Sequence, residues 1–179
     1  MLAIQTADCA VWHALMSKSQ LVSKIQLPYA VEAYISDLVV RAMHARRIED
    51  ERSIESLLFG AEHGDLQQIG DECLVLAGLM PEHAIREEIP VSYFVNVAFR
   101  AYSQLAEDVG AKIYADLAAN LIDCVDVLHT LRELEVGGSC IDPLNAYELW
   151  EETGSRHARE CLARITDAIP LSTDSATLH

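Results

Sequence analysis

The architecture is organised around residues 65–102, which read DLQQIGDECLVLAGLMPEHAIREEIPVSYFVNVAFRAY. Apolar and small residues recur in this stretch every three or four positions, which is the spacing of one face of an α-helix. Gly70, Cys73 and Ala77 lie along the middle of the first such face. Because these side chains are small, the spacing predicts a seam at which a second helix can approach closely.

The same stretch contains a turn that leads into a second predicted helix. Pro81 and Pro90 bracket this turn, and proline favours helix ends and first turns because it lacks a backbone amide hydrogen. Beyond Pro90, apolar residues again recur at helical spacing as far as Leu105. The outer face of this helix is predicted to carry Tyr93, Asn96, Arg100, Gln104 and Glu107.

Helical periodicity covers most of the rest of the chain, and no segment of useful length alternates with the two-residue period of a strand. The sequence therefore predicts an all-α fold, a compact bundle of six to seven helices. A chain of this length favours one domain, which is predicted to span residues 1–170. Residues 171–179 are predicted to form a disordered tail.

Two segments near the carboxyl end are each predicted to form one helix. The first runs from Ala111 to about Leu134, after the break at Gly110. The second begins at Asp142 and Pro143, a cap followed by proline in the first turn. The buried side of this last helix is expected to comprise Tyr147, Trp150, Ala158, Cys161 and Ile165.

Composition argues against several classes of partner. The 179 residues carry a formal net charge of −15 and only 13 lysines and arginines. Because nucleic-acid affinity comes largely from cations that neutralise phosphates, DNA, RNA and anionic membrane are not expected as partners. No apolar run approaches the ~18 residues of a membrane span, and the amino terminus does not resemble a signal peptide.

The cysteines indicate the compartment. There are five, an odd number, and none forms a Cys-x-x-Cys pair with another. This usage is typical of reduced thiols and predicts a cytoplasmic protein. The five are Cys9, Cys73, Cys124, Cys140 and Cys161.

One part of the chain resembles a known group of proteins. The pattern comprises Gly70-Asp71-x-x-Leu74, Gly78-Leu79-Met80-Pro81, Val91-Ser92-Tyr93-Phe94-Val95, Ala101-Tyr102-x-x-Leu105, Leu117-Ala118-x-x-Leu121 and Val125-Asp126-Val127-Leu128. Over about Leu66 to Leu134 it is similar to an uncharacterised family of bacterial all-helical proteins, although that family usually has a second aromatic or apolar residue where this chain has Met80. The resemblance implies a helical fold and a bacterial cytoplasmic protein, and it implies no activity.

The clearest candidate for a metal-binding site lies on the long predicted helix. Asp126 and His129 are three residues apart and share a helix face, which is half of the ligand set of a carboxylate-bridged di-iron bundle. A di-iron site needs a second pair of this kind, and the sequence has none, since no other histidine has Asp or Glu three positions earlier. The pattern therefore favours a surface histidine paired with Asp126 over a metal ligand.

Glu32 is the second candidate, because the helical wheel places it at the shoulder of an apolar face. A carboxylate there must find a partner or raise its pKa, although partial exposure to solvent is the commoner outcome. Convergence of Glu32 with Asp126 and His129 would indicate a metal or small-ligand pocket. Asp71 and Glu72 lie off the seam and are interpreted as solvent-facing residues or as caps of a neighbouring helix.

Tyr93, Asn96 and Arg100 form a polar stripe on the outer face of their helix. Ordinary surface is the default interpretation of such a stripe. The functional alternative is an interaction site, because tyrosine and arginine are enriched where proteins bind one another.

Two functional hypotheses remain open. The first is a soluble, non-enzymatic helical protein that acts through protein–protein contacts in a regulatory or scaffold role, as a homodimer or with another protein. The second is a metal- or small-molecule-dependent helical enzyme of the ferritin-like or haem-oxygenase-like type, with its site between helices. No catalytic motif is recognisable and no cofactor is predicted, so the sequence favours the first hypothesis.

Overall fold

The computed structural model describes residues 2–46, 66–138 and 141–165, with side chains from position 10 to 42 in the first range and throughout the other two. Within these ranges the chain is helical and contains no strand, which confirms the all-α prediction. The tail predicted at 171–179 lies outside the described residues. The helices are α1 (Leu2–Ser23), α2 (Tyr29–Arg46), α3 (Leu66–Gly78), α4 (Pro81–Arg86), α5 (Val91–Val109), α6 (Lys112–Ala119), α7 (Leu121–Val136), α8 (Pro143–Thr153) and α9 (Arg156–Ile165).

The predicted number of six to seven helices is wrong, since nine lie in the described ranges, and two predicted long helices are each divided. The first division is at Asn120, whose side-chain amide donates to the carbonyl oxygen of Asp116 at 2.7 Å and competes with the backbone. The second is at Gly154, whose φ of 75° is left-handed and whose N–H donates to Trp150 O at 2.8 Å. Interruptions of one and two residues barely disturb the apolar spacing, which is why the pattern did not reveal them.

The core lies around α3. This helix packs most extensively against α5 and also contacts α2, α4 and α7, while α1 packs along α7 and α2. Every residue from Cys73 to Gly78 is buried, so α3 is covered on all sides over this length. Tyr102 and Phe94 of α5 and Leu128 of α7 are among the largest fully buried side chains.

The predicted seam of small residues is confirmed. Gly70, Cys73 and Ala77 are all buried on α3. A Cβ atom added to Gly70 would lie 2.8 Å from Cε1 of Tyr102 in α5, closer than such contacts occur in proteins. Gly78 extends the seam towards α7, where an added Cβ would lie 2.8 Å from Leu128 Cβ. The absence of side chains at these two positions sets how closely α3 approaches its neighbours.

Replacement of Gly70 by leucine is expected to lower the free energy of unfolding by ~1–3 kcal/mol, because the new side chain overlaps the Tyr102 ring. This loss opposes the roughly 1 kcal/mol that leucine gains over glycine in helix propensity. Gly138→Leu is the control, since a Cβ there meets nothing within 4 Å. Urea denaturation of both variants measures the difference, and equal stability would contradict the packing argument.

The last two helices bury fewer apolar residues than predicted. Ala158 and Cys161 are buried and Trp150 is partly buried, as expected. Tyr147 is 41% exposed and Ile165 is 55% exposed, so their predicted burial is wrong. The division at Gly154 changes the direction of the chain, and α8 and α9 therefore do not share one continuous buried face. No helix in the described ranges has the length and apolar character needed to cross a membrane.

Candidate functional site

A buried carboxylate joins three helices near the amino end of α3. Asp71 is 6% exposed, and its Oδ1 accepts hydrogen bonds from the hydroxyls of Tyr34 in α2 at 2.7 Å and Tyr102 in α5 at 2.8 Å. Arg41 Nη2 donates to Oδ2 at 3.3 Å, and Gln67 Nε2 donates to the Tyr34 hydroxyl oxygen at 3.1 Å. These five residues are called the Asp71 cluster below.

The Asp71 cluster shows that the predicted solvent-facing position of Asp71 is wrong. Burial and the adjacent carboxylate raise the pKa of Tyr34 and of Tyr102, so both phenols stay protonated and remain donors. Tyr114 of α6 extends the network by donating to Gln67 Oε1 at 2.9 Å. Because the buried carboxylate is held by fixed donors, the cluster joins helices and offers no obvious reactive group.

A second buried carboxylate holds the amino end of α9. Asp126 Oδ1 accepts from Ser155 Oγ at 2.5 Å, and Oδ2 accepts from the backbone amides of Arg156 at 2.9 Å and His157 at 3.3 Å. Ser155 Oγ in turn accepts from Ala158 N at 3.0 Å. Burial raises the pKa of Asp126, while these hydrogen bonds oppose the rise. Asp126 therefore caps a helix of which it is not a part.

His129 is fully buried between α7 and α3. Its Nε2–H donates to Ala77 O at 2.7 Å. The residue four positions after Ala77 is Pro81, which has no N–H to offer this carbonyl, and the imidazole supplies the missing donor. Burial, together with repulsion from His157, lowers the pKa of His129 to about 3. The predicted surface histidine paired with Asp126 is therefore wrong, and His129 is a neutral core residue.

Acidification is expected to destabilise the protein through His129. Its pKa is lowered from 6.5 to about 3 on folding, so the unfolded chain takes up this proton first as the pH falls. The stability that neutral His129 contributes is complete above pH ~6.5 and is lost on approach to pH 3. Between pH 7.5 and 5, wild type should lose about 2 kcal/mol more than His129→Gln, whose amide can donate but does not titrate. Urea denaturation at both pH values tests this, and parallel losses in the two proteins would contradict it.

Three potential metal ligands meet between α7 and α9. Glu133 Oε1 lies 3.3 Å from His157 Nε2 and 3.8 Å from Cys161 Sγ. One ligand atom from each of the three residues lies within 4.8 Å of the other two. His157 and Cys161 are four residues apart on α9 and therefore share one face of that helix. They are buried, and Glu133 is partly buried. These residues are called the Glu133 trio below.

Thr130 orients the imidazole of His157. The Thr130 hydroxyl donates to the carbonyl oxygen of Asp126 at 2.9 Å, so its oxygen is left to accept from His157 Nδ1 at 3.4 Å. In this tautomer the proton is on Nδ1, and Nε2 faces Glu133. A lone pair on Nε2 would face the carboxylate oxygen, so a proton or a metal ion is required between them. Orientation of a ligating histidine through its other nitrogen is usual in metal sites.

Arg164 provides the positive charge beside the Glu133 trio. Its Nη1 and Nη2 each lie 3.4 Å from Glu133 Oε2, and Nη2 lies 3.5 Å from Cys161 Sγ. Burial raises the pKa of Glu133, but hydrogen bonding and attraction to His157, together with the charge of Arg164, outweigh burial and lower it. Glu133 is therefore held as a carboxylate, the form that binds metal ions.

The three predicted ligand candidates lie on two helices. Asp126 and His129 are both on α7, where each makes the hydrogen bonds described above. Glu32 lies in the first turn of α2 and is partly exposed, as predicted. Because α2 packs mainly against α1, α3 and α6, it does not bring Glu32 to the polar face of α7. The groups that meet at that face come from α9 instead.

The predicted outer face of α5 is exposed. Tyr93, Asn96 and Arg100 all reach solvent, and Tyr93 is 47% exposed. Phe99, which the prediction did not include, is 50% exposed on the same helix. An interaction role for this face remains a prediction.

The Glu133 trio does not follow from the sequence pattern used to predict metal ligands, which is a carboxylate three residues before a histidine. The four-residue spacing of His157 and Cys161 was visible and could have identified two ligands on one helix face. Glu133 is 24 positions before His157, and the turn between α8 and α9 brings the two together. That turn depends on Gly154 and on the contacts of Asp126, which periodicity does not reveal.

Comparisons of the chain with models of protein families, with curated proteins and with solved structures found no match. The resemblance of residues 66–134 to a bacterial helical family therefore stays a prediction.

Proposed function

We propose that this chain is a metal-dependent helical protein that binds a zinc-type divalent ion through Glu133, His157 and Cys161. The observation that carries the proposal is the meeting of a carboxylate, an imidazole and a thiol from two helices, with ligand atoms within 4.8 Å of one another. Zinc accepts oxygen, nitrogen and sulfur ligands of these three kinds. A site between helices corresponds to the second hypothesis drawn from the sequence.

The spacing of the ligand atoms supports a tetrahedral ion. Ligands placed about 2.0–2.3 Å from such an ion lie roughly 3.3–3.7 Å from one another. Glu133 Oε1 lies 3.3 Å from His157 Nε2 and 3.8 Å from Cys161 Sγ, so two edges of the tetrahedron need little movement. The Thr130 hydroxyl supplies the outer contact that keeps the imidazole oriented.

The number of ligands bears on what the ion does. Structural zinc sites are closed by four protein ligands, whereas catalytic sites have three and keep the fourth position for water or substrate. The Glu133 trio offers three, which supports an open site that activates water or polarises a bound group. Binding replaces the proton between His157 and Glu133 and removes the thiol proton of Cys161.

Cobalt titration tests the proposal, because cobalt(II) occupies zinc sites and absorbs light when a thiolate binds it. Protein stripped of metal by a chelator should bind one equivalent of Co²⁺, develop a thiolate-to-cobalt absorption band and release the cobalt to added Zn²⁺. Glu133→Gln and Cys161→Ser should each weaken binding by more than the ~10–100-fold typical of an outer-shell change. Cys73→Ala is the control for a buried thiol away from the trio. Absence of the band, or its persistence in Cys161→Ser, would refute the site.

A second candidate function is contact with another protein through the outer face of α5. It is supported by the exposure of Tyr93 and Arg100 on this face and by a second exposed aromatic residue, Phe99, on the adjoining side of the helix. Self-association is the form of this function that can be tested without a known partner. Sedimentation velocity over a range of protein concentrations should show a dimer that Tyr93→Ser together with Phe99→Ser dissociates. A monomer at every concentration would rule out the homodimer.

A further inference from the structure

Arg164 lies on the solvent side of the Glu133 trio. Its side chain is 54% exposed, whereas His157 and Cys161 are buried beneath it. The guanidinium contacts Glu133 Oε2 through two nitrogens and Cys161 Sγ through one. A molecule that approaches the trio from this side therefore meets the arginine.

The charges around the trio do not balance once a metal ion is bound. A divalent ion is neutralised by the carboxylate of Glu133 and the thiolate of Cys161, while His157 binds as a neutral ligand. Arg164 adds one positive charge, so the ion, its three ligands and this arginine together carry one net positive charge. Because Arg164 is 54% exposed, its guanidinium is accessible to an anion that reaches the ion from solvent.

We infer that the fourth position of the metal is taken by an oxyanion, the carboxylate or phosphate group of a small molecule, which Arg164 binds at the same time. One oxygen of the anion completes the tetrahedron and another accepts from the guanidinium. The planar fork of arginine matches both groups, whose oxygens can accept two parallel hydrogen bonds. This inference rests on the proposed metal site and adds the chemical class of its ligand.

Arg159 provides a matched control on the same helix. It is an exposed arginine five residues before Arg164, and its backbone amide donates to Ser155 O at 3.2 Å within the first turn of α9. Replacing it removes the same charge from the same helix. A general loss of positive charge should affect both variants, whereas a direct contact should affect only Arg164→Gln.

The test uses the full chain loaded with one equivalent of Co²⁺, with acetate and inorganic phosphate as separate probes. Either probe should alter the cobalt absorption spectrum in a saturable way, and the tighter binder identifies the favoured group. Arg164→Gln should bind that probe at least tenfold more weakly, although its affinity for Co²⁺ should be equal or higher because a cation has been removed. Arg159→Gln should behave as wild type.

The outcomes separate this inference from the proposed function. If wild type binds no Co²⁺ through Cys161, both ideas are wrong. If it binds Co²⁺ but neither probe alters the spectrum, only the oxyanion inference is wrong. Equal anion affinity in Arg164→Gln and Arg159→Gln would show that Arg164 does not contact the anion.

Discussion

Replacement of Asp71 by alanine is expected to lower the free energy of unfolding by about 2–4 kcal/mol, the cost of leaving buried hydrogen-bond donors without their acceptor. The hydroxyls of Tyr34 and Tyr102 would lose their shared acceptor, and Tyr102 is fully buried where water cannot replace it. Arg41 would lose the buried one of its two carboxylate partners. Equilibrium urea denaturation at neutral pH measures the change.

Asp37 provides the control for the Asp71 prediction. It also pairs with Arg41, at 2.8 Å, but its side chain is largely exposed. Asp37→Ala should cost no more than about 1 kcal/mol, as exposed ion pairs usually do. Comparable losses in the two variants would mean that the tyrosine hydrogen bonds to Asp71 contribute little.

Replacement of Asp126 by alanine is expected to destabilise the protein by about 2–4 kcal/mol. The change removes the acceptor of Ser155 Oγ and of two backbone amides at the start of α9. Loss of a helix cap alone costs up to ~2 kcal/mol, and unpaired buried donors add to this. Because the same helix carries His157 and Cys161, binding of Co²⁺ should weaken in parallel. Urea denaturation and cobalt titration measure the two effects.

Asp123→Ala is the matched control for the cap. Asp123 lies three residues before Asp126 on α7 and pairs with the exposed side chain of Arg156 at 2.9 Å. Its removal should cost at most about 1 kcal/mol. If Asp123→Ala were as destabilising as Asp126→Ala, charge near the start of α9, rather than hydrogen bonding to it, would explain the stability.

The helices could be predicted because apolar spacing is a local property of the chain. The seam at Gly70 was predicted for the same reason, since the small residues that form it repeat on one face of α3. Helix boundaries inside long periodic segments were not predicted. Asn120 ends one helix through a side-chain hydrogen bond, and a single such contact leaves almost no trace in the apolar pattern.

The polar clusters were beyond prediction because their members come from distant parts of the chain. Asp71 meets Tyr34 and Tyr102, which are 37 and 31 positions away. On its own helix Asp71 lies off the seam, and solvent exposure follows if no other helix covers that side. The position of a residue on a helical wheel specifies a direction, but it does not specify whether a neighbouring helix lies there.

The Asp71 cluster also has a consequence for how α2, α3 and α5 align. Apolar packing alone distinguishes poorly between neighbouring registers of two packed helices, because side chains one turn apart present similar shapes. A slide of α2 by one turn, about 5.4 Å, would carry the Tyr34 hydroxyl beyond reach of the carboxylate that it contacts at 2.7 Å. The Asp71 carboxylate, which is shared by two tyrosine hydroxyls, therefore selects one register among those that apolar contacts would allow. Its contribution to a single native arrangement of the helices can exceed its contribution to the free energy of unfolding.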